Sequence, residues 1–173
     1  MTLSRDSARQ IALAGIFTAL AFGLSFVERV LPIEIIAPLP GLKIGLANAV
    51  TLVAFYFFKK RTVAQIVLVR CVLAGLLFGM GSLPYALTGA FLSFAVMAAV
   101  YNRKSISFLG VSVSGAAAHN TGQIIAAFFI FRSVFVFAYL PILLIFSVFT
   151  GAVTGFLSGL VVSRLKRAWN SEF

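Results

Sequence analysis

Residues 44–80 read IGLANAVTLVAFYFFKKRTVAQIVLVRCVLAGLLFGM, two apolar blocks at about 44–58 and 63–80 divided by Lys59, Lys60 and Arg61. About 20 apolar residues rising 1.5 Å each match a hydrocarbon core about 30 Å thick, so blocks of this kind bounded by basic residues read as a pair of transmembrane helices. The basic triplet is then the short turn that stays in water. No charged residue interrupts either block except Arg70.

The same reading extends in both directions. Upstream, a basic start, MTLSRDSARQ, leads into an apolar block at about 11–31, too long for a removable signal peptide and without its small-residue cleavage site. The segment PIEIIAPLPGLK at 32–43 carries Pro32, Pro38, Pro40 and Gly41, which deny it a regular helix, and reads as a loop that packs against something. Downstream, further blocks fall at about 85–100, 106–131 and 135–162, with Pro141 kinking the last or marking its true start. The 173 residues are 61% hydrophobic and 10% charged, with a mean hydropathy of +1.09, far from the soluble range. The expectation is one all-α integral membrane domain over 1–173 with six transmembrane helices.

The net charge of +10 raises nucleic acid as a partner, and the placement of the basic residues decides against it. With the N-terminus inside, Arg5, Arg9, Lys59, Lys60, Arg61, Arg103, Lys104, Arg164, Lys166 and Arg167 gather on one side, 10 of the 14. Positive loops stay cytoplasmic, so both termini are expected in the cytoplasm and the Pro-rich loop outside. A bacterial cytoplasmic membrane is the expected location, and lipid contact explains the charge without nucleic acid.

Enzyme chemistry finds few groups to work with. The acidic residues are Asp6, Glu28, Glu34 and Glu172, none paired at metal-ligand spacing, and there is one His and one Cys. A prenyl-diphosphate enzyme needs clustered Asp to hold magnesium, a hydrolase needs a nucleophile with a base, and ATP use needs GxxxxGK[ST], which the chain lacks. The expectation is no enzyme, no metal and no cofactor. Energy for transport would come from a partner or an ion gradient.

The best polar constellation is GAAAHNTGQ at 115–123. His119, Asn120 and Gln123 share one helical arc of about 100°, and such groups in hydrocarbon face a partner or a cavity. Two readings are open: a ligand pocket floored by small residues, or interhelical hydrogen bonds at a tight contact. Asn48 and Thr51 lie at i and i+3 on the second span, with Lys43 guarding its outer end, either to meet an anion or to snorkel. Arg70 sits too deep to reach the interface easily, so it reads as a ligand contact or as the partner of a buried amide, carbonyl or carboxylate such as Glu28. Ala8, Ala12, Gly15, Ala19 and Gly23 form a small-residue stripe on the first span, either an internal contact or a docking face for another subunit.

PLPGLKIGLANAVTL, GAAAHNTGQ and six spans together resemble the Gx transporter family, also called heptaprenyl diphosphate synthase component I, which is similar to the S components of energy-coupling factor (ECF) transporters. The resemblance covers nearly the whole chain. It implies a six-helix S-component fold with a substrate site in the outer half under the first loop, and docking of the first helix through Ala8 and Ala12. The implied partners are a transmembrane coupling subunit and two ATP-hydrolysing subunits.

The function expected is therefore the substrate-binding component of a vitamin-type uptake transporter, holding a small molecule with Asn48, Thr51, Lys43, Arg70, His119, Asn120 and Gln123. The alternatives are a membrane accessory subunit of polyprenyl diphosphate or quinone synthesis, and a small proton-coupled transporter using His119.

Overall fold

A computed structural model describes residues 5–31, 45–103 and 105–171. They form six α-helices: α1 Arg5–Val30, α2 Leu46–Phe57, α3 Lys60–Phe78, α4 Leu83–Val100, α5 Phe108–Phe131 and α6 Leu140–Ser171, with 3-10 turns at Met80–Ser82 and Val134–Tyr139. The helix starts follow local chemistry. Ser107 caps α5 by accepting a hydrogen bond from the Gly110 amide at 3.3 Å. Pro84 and Pro141 sit in the first turns of α4 and α6, where a missing amide hydrogen is harmless. Pro141 therefore marks the start of the last helix and does not kink it.

The helices are arranged around α2, which packs against each of the other five. Around it run α1, α3, α4, α5 and α6, with the α4–α5 and α5–α6 contacts the most extensive and α6 closing back onto α2. Seven of the 12 residues of α2 are buried: Ala47, Asn48, Thr51, Leu52, Val53, Ala54 and Phe55. Leu52 and Phe55 join Val63, Ile66, Val67, Ala90, Met97 and Val111 in the main apolar core. The outward faces carry Leu68, Leu76, Phe91, Phe129, Phe135 and Phe149, all exposed, as a surface bathed in lipid requires.

Four of the helices, α1, α3, α4 and α6 with its preceding turn, are long and apolar enough to cross a membrane, so this is an all-α multi-pass membrane protein. The other two helices, α2 and α5, fall short of that measure, each for a physical reason. α2 starts at Leu46, after Gly45 in a left-handed conformation at φ 85°, and its 12 residues rise only about 18 Å. α5 has the length, at 24 residues, but its polar arc lowers its hydropathy.

Close approach of α4, α5 and α6 depends on glycine. A Cβ on Gly122 would stand 2.5 Å from the Thr88 carbonyl oxygen, and one on Gly151 would stand 2.6 Å from the Val113 Cα. At one end of the bundle, aromatic rings fill the interior. Phe55 stacks on Tyr101 with centroids 4.8 Å apart, and Tyr56 stacks on Phe108 at 4.7 Å. Lys60 and Lys166 cover this cluster, at 5.5 Å from the Tyr101 centroid and 5.3 Å from that of Tyr56.

Candidate functional site

The other end of the bundle is hollow. Where α1 and α3 finish and α2, α4 and α6 begin, a partly open cavity of about 70 Å³ is lined by residues from all six helices. Its polar wall comprises Ser25, Glu28 and Arg29 from α1, Asn48 from α2, Arg70 from α3, His119 and Asn120 from α5, and Thr150 from α6. Ala47, Ala74, Ala86 and Ala116 supply small apolar surface between them. Glu28, Asn48, Arg70 and Asn120 are each 7% exposed, so two opposite charges and two amides stand together out of bulk water. Groups of this kind are costly in hydrocarbon unless they are matched to one another or to a ligand.

Glu28 is matched to α2. Its Oε1 accepts hydrogen bonds from the backbone amides of Gly45 and Leu46, the latter at 2.8 Å. A carboxylate there satisfies two amide hydrogens that the helix start leaves without internal acceptors, and it complements the positive end of the helix dipole. One face of α1, with Ala21, Ser25 and Glu28 at helical spacing, therefore points into the bundle.

Asn120 is matched to α6. Its Nδ2 donates to Ser147 Oγ at 2.8 Å and to the Leu143 carbonyl at 3.2 Å. Two further polar links continue the seam: Ser112 and Thr154 hydroxyls lie 2.9 Å apart, and Ser158 donates to the Ala49 carbonyl of α2 at 3.3 Å. Asn120 thus both lines the cavity and ties two helices.

Of the residues the sequence singles out, Asn48, Arg70, His119 and Asn120 meet at the cavity. Thr51 is buried one turn below it and donates to the Ala47 carbonyl of its own helix. Gln123 is half-buried in the α4–α5 contact, where its Cγ would lie 3.1 Å from a Cβ on Gly89, and it does not line the cavity. Lys43 and the 32–43 loop lie outside the described residues. The sequence reading placed Glu28 only as a partner for Arg70 and omitted Ser25 and Thr150. Glu28 is nevertheless marked in the sequence as the one acid within the apolar block at 11–31.

The small-residue stripe of α1 is not an internal contact. Ala8, Ala12, Gly15, Ala19 and Gly23 are all exposed, and a Cβ on Gly15 or Gly23 would meet nothing within 4 Å. No group of three His, Cys, Asp or Glu side chains that could hold a metal ion occurs among the described residues.

A bundle of apolar helices with a partly open polar cavity at one end defines an all-α multi-pass membrane protein. Within that class, the family model of heptaprenyl diphosphate synthase component I matches residues 17–161, and the chain belongs to this family. Comparison with curated proteins and with solved structures returns no match.

Proposed function

We propose that the chain is the substrate-binding component of an ECF-type uptake transporter for a small vitamin-like or cofactor-precursor molecule. Residues 1–173 then act as one six-span unit of a bacterial cytoplasmic membrane, with both termini inside and the cavity in the outer half. The observation that carries this reading is the cavity itself: polar side chains from five helices, four of them buried, converge at one end of the bundle, while packed aromatic rings fill the other. A site open to one side only is what alternating access needs between turnovers. Asn48, Arg70, His119 and Asn120 contact substrate directly in this reading, and Lys43 and the 32–43 loop cover it. Thr51 and Gln123 set the positions of α2 and α5.

The chain has no phosphate loop, so ATP is used by partners, and α1 offers them a face. A stripe of Ala and Gly open to its surroundings permits the close helix approach on which association in lipid depends. A transmembrane coupling subunit docks there, with two ATP-hydrolysing subunits beneath it. Reconstitution in vesicles with and without this module tests the proposal. Uptake is expected only with the module and ATP, and Ala8→Leu with Ala12→Leu is expected to abolish uptake and capture of the coupling subunit without unfolding the chain. Uptake that persists without the module overturns it.

The family's description favours a second reading, an accessory membrane component beside a partner synthase. Stable co-purification with a soluble, Asp-rich synthase, and altered product length on deletion of this chain, are the outcomes that would establish it in place of transport.

A further inference from the structure

Among the described residues Arg70 is the buried cation of the cavity, while Arg29 stands exposed at its rim. A guanidinium carries five N–H donors and cannot shed its charge. Here it makes one long hydrogen bond, from Nη1 to Ser25 Oγ at 3.3 Å, and its buried Nε has no acceptor among the described residues. The acid in the same cavity is engaged elsewhere, since Glu28 receives the Gly45 and Leu46 amides. A buried charge held by one long hydrogen bond is costly unless a further partner reaches it.

We infer that the cavity takes a small organic acid whose carboxylate is held by the Arg70 guanidinium. This deepens the proposed function and rests on the cavity being the substrate site. A guanidinium presents paired, parallel N–H donors, and the two oxygens of a carboxylate match such a fork in spacing and plane. Charge points the same way. One monoanion neutralises Arg70, whereas a diphosphate brings further negative charge beside Glu28 with no second buried cation among the described lining residues. Asn48 and Thr150 line the same cavity for the polar remainder of the acid, and Ala74, Ala86 and Ala116 for its apolar part.

The test is thermal unfolding of the purified full chain with matched probes: benzoate against benzamide, nicotinate against nicotinamide, isovalerate against isovaleramide, then phenyl phosphate and inorganic pyrophosphate. At least one acid is expected to raise the melting temperature with half-saturation tenfold or more below that of its amide. Arg70→Met is expected to erase this difference while melting, without ligand, at the wild-type temperature or above, because it removes an unmatched charge. A purely structural Arg70 would make the same variant melt lower. Arg70→Lys keeps the charge without the fork and is expected to weaken acid binding at least tenfold. Equal response to acid and amide, response to the phosphates alone, response to no probe, or acid preference surviving in Arg70→Met would each overturn the inference. None of these arms uses the coupling module. Loss of ATP-driven uptake with acid preference intact would therefore count against the transporter reading and leave the carboxylate site standing.

Discussion

Helices α1 and α5 invert the usual relation between apolarity and burial. α1 is apolar enough to cross a membrane, yet only 6% of that apolar stretch is buried in the bundle, against 33% for α3. α5 carries His119, Asn120, Thr121 and Gln123, is not apolar enough to count as a span by composition, and buries Ser112, Gly115, Asn120, Gly122 and five or more small or aliphatic neighbours. In lipid, apolar surface gains nothing by turning inward, so close packing and polar matching decide which helix is central. Glycine shows the contrast most directly. On α5 and α6 it lets backbones touch, and on α1 it faces open surroundings.

The largest effect that would test this contrast is expected at Gly122. A Cβ there must push aside the Thr88 backbone, so Gly122→Ala is expected to cost about 1–3 kcal/mol, read as a lower melting temperature in detergent. Asn120→Ala follows, at about 1–2 kcal/mol, because Ser147 and the Leu143 carbonyl lose a shared donor. Glu28→Gln keeps an acceptor at the start of α2 but removes its charge, with an expected loss of about 0.5–1 kcal/mol and faster hydrogen exchange at the Leu46 amide. Ser112→Ala breaks one hydroxyl pair between α5 and α6, expected at about 0.6 kcal/mol. At the small end stands Gly15→Ala, expected to leave stability unchanged or raise it by up to about 1 kcal/mol. A Gly15→Ala loss as large as that of Gly122→Ala would erase the distinction between the two helices.

Much of this arrangement is legible in sequence because lipid imposes length and polarity rules on single segments. The spacing of Lys59–Arg61 and of the apolar blocks marks α2 and α3, and the cluster at 119–123 marks the helix that enters the site. What stays hidden is three-dimensional matching. Helical phase puts Gln123 beside His119, but the Gly89–Gly122 approach draws Gln123 into the α4–α5 contact and away from the cavity. Similarly, nothing near Glu28 in the chain announces that its partners are amides 17 and 18 residues on. The stripe on α1 could be seen from its spacing, but its outward direction depends on Ala14, Phe17 and Ala21 packing the other way.

That outward direction makes α1 a shaft. Ala12, Gly15 and Ala19 lie on one side of it, and Ala21, Ser25 and Glu28 lie nearly opposite, at about 100° per residue. A helix is stiff along its length, so whatever grips the outer side and rolls it carries Glu28 off the start of α2 in the same stroke.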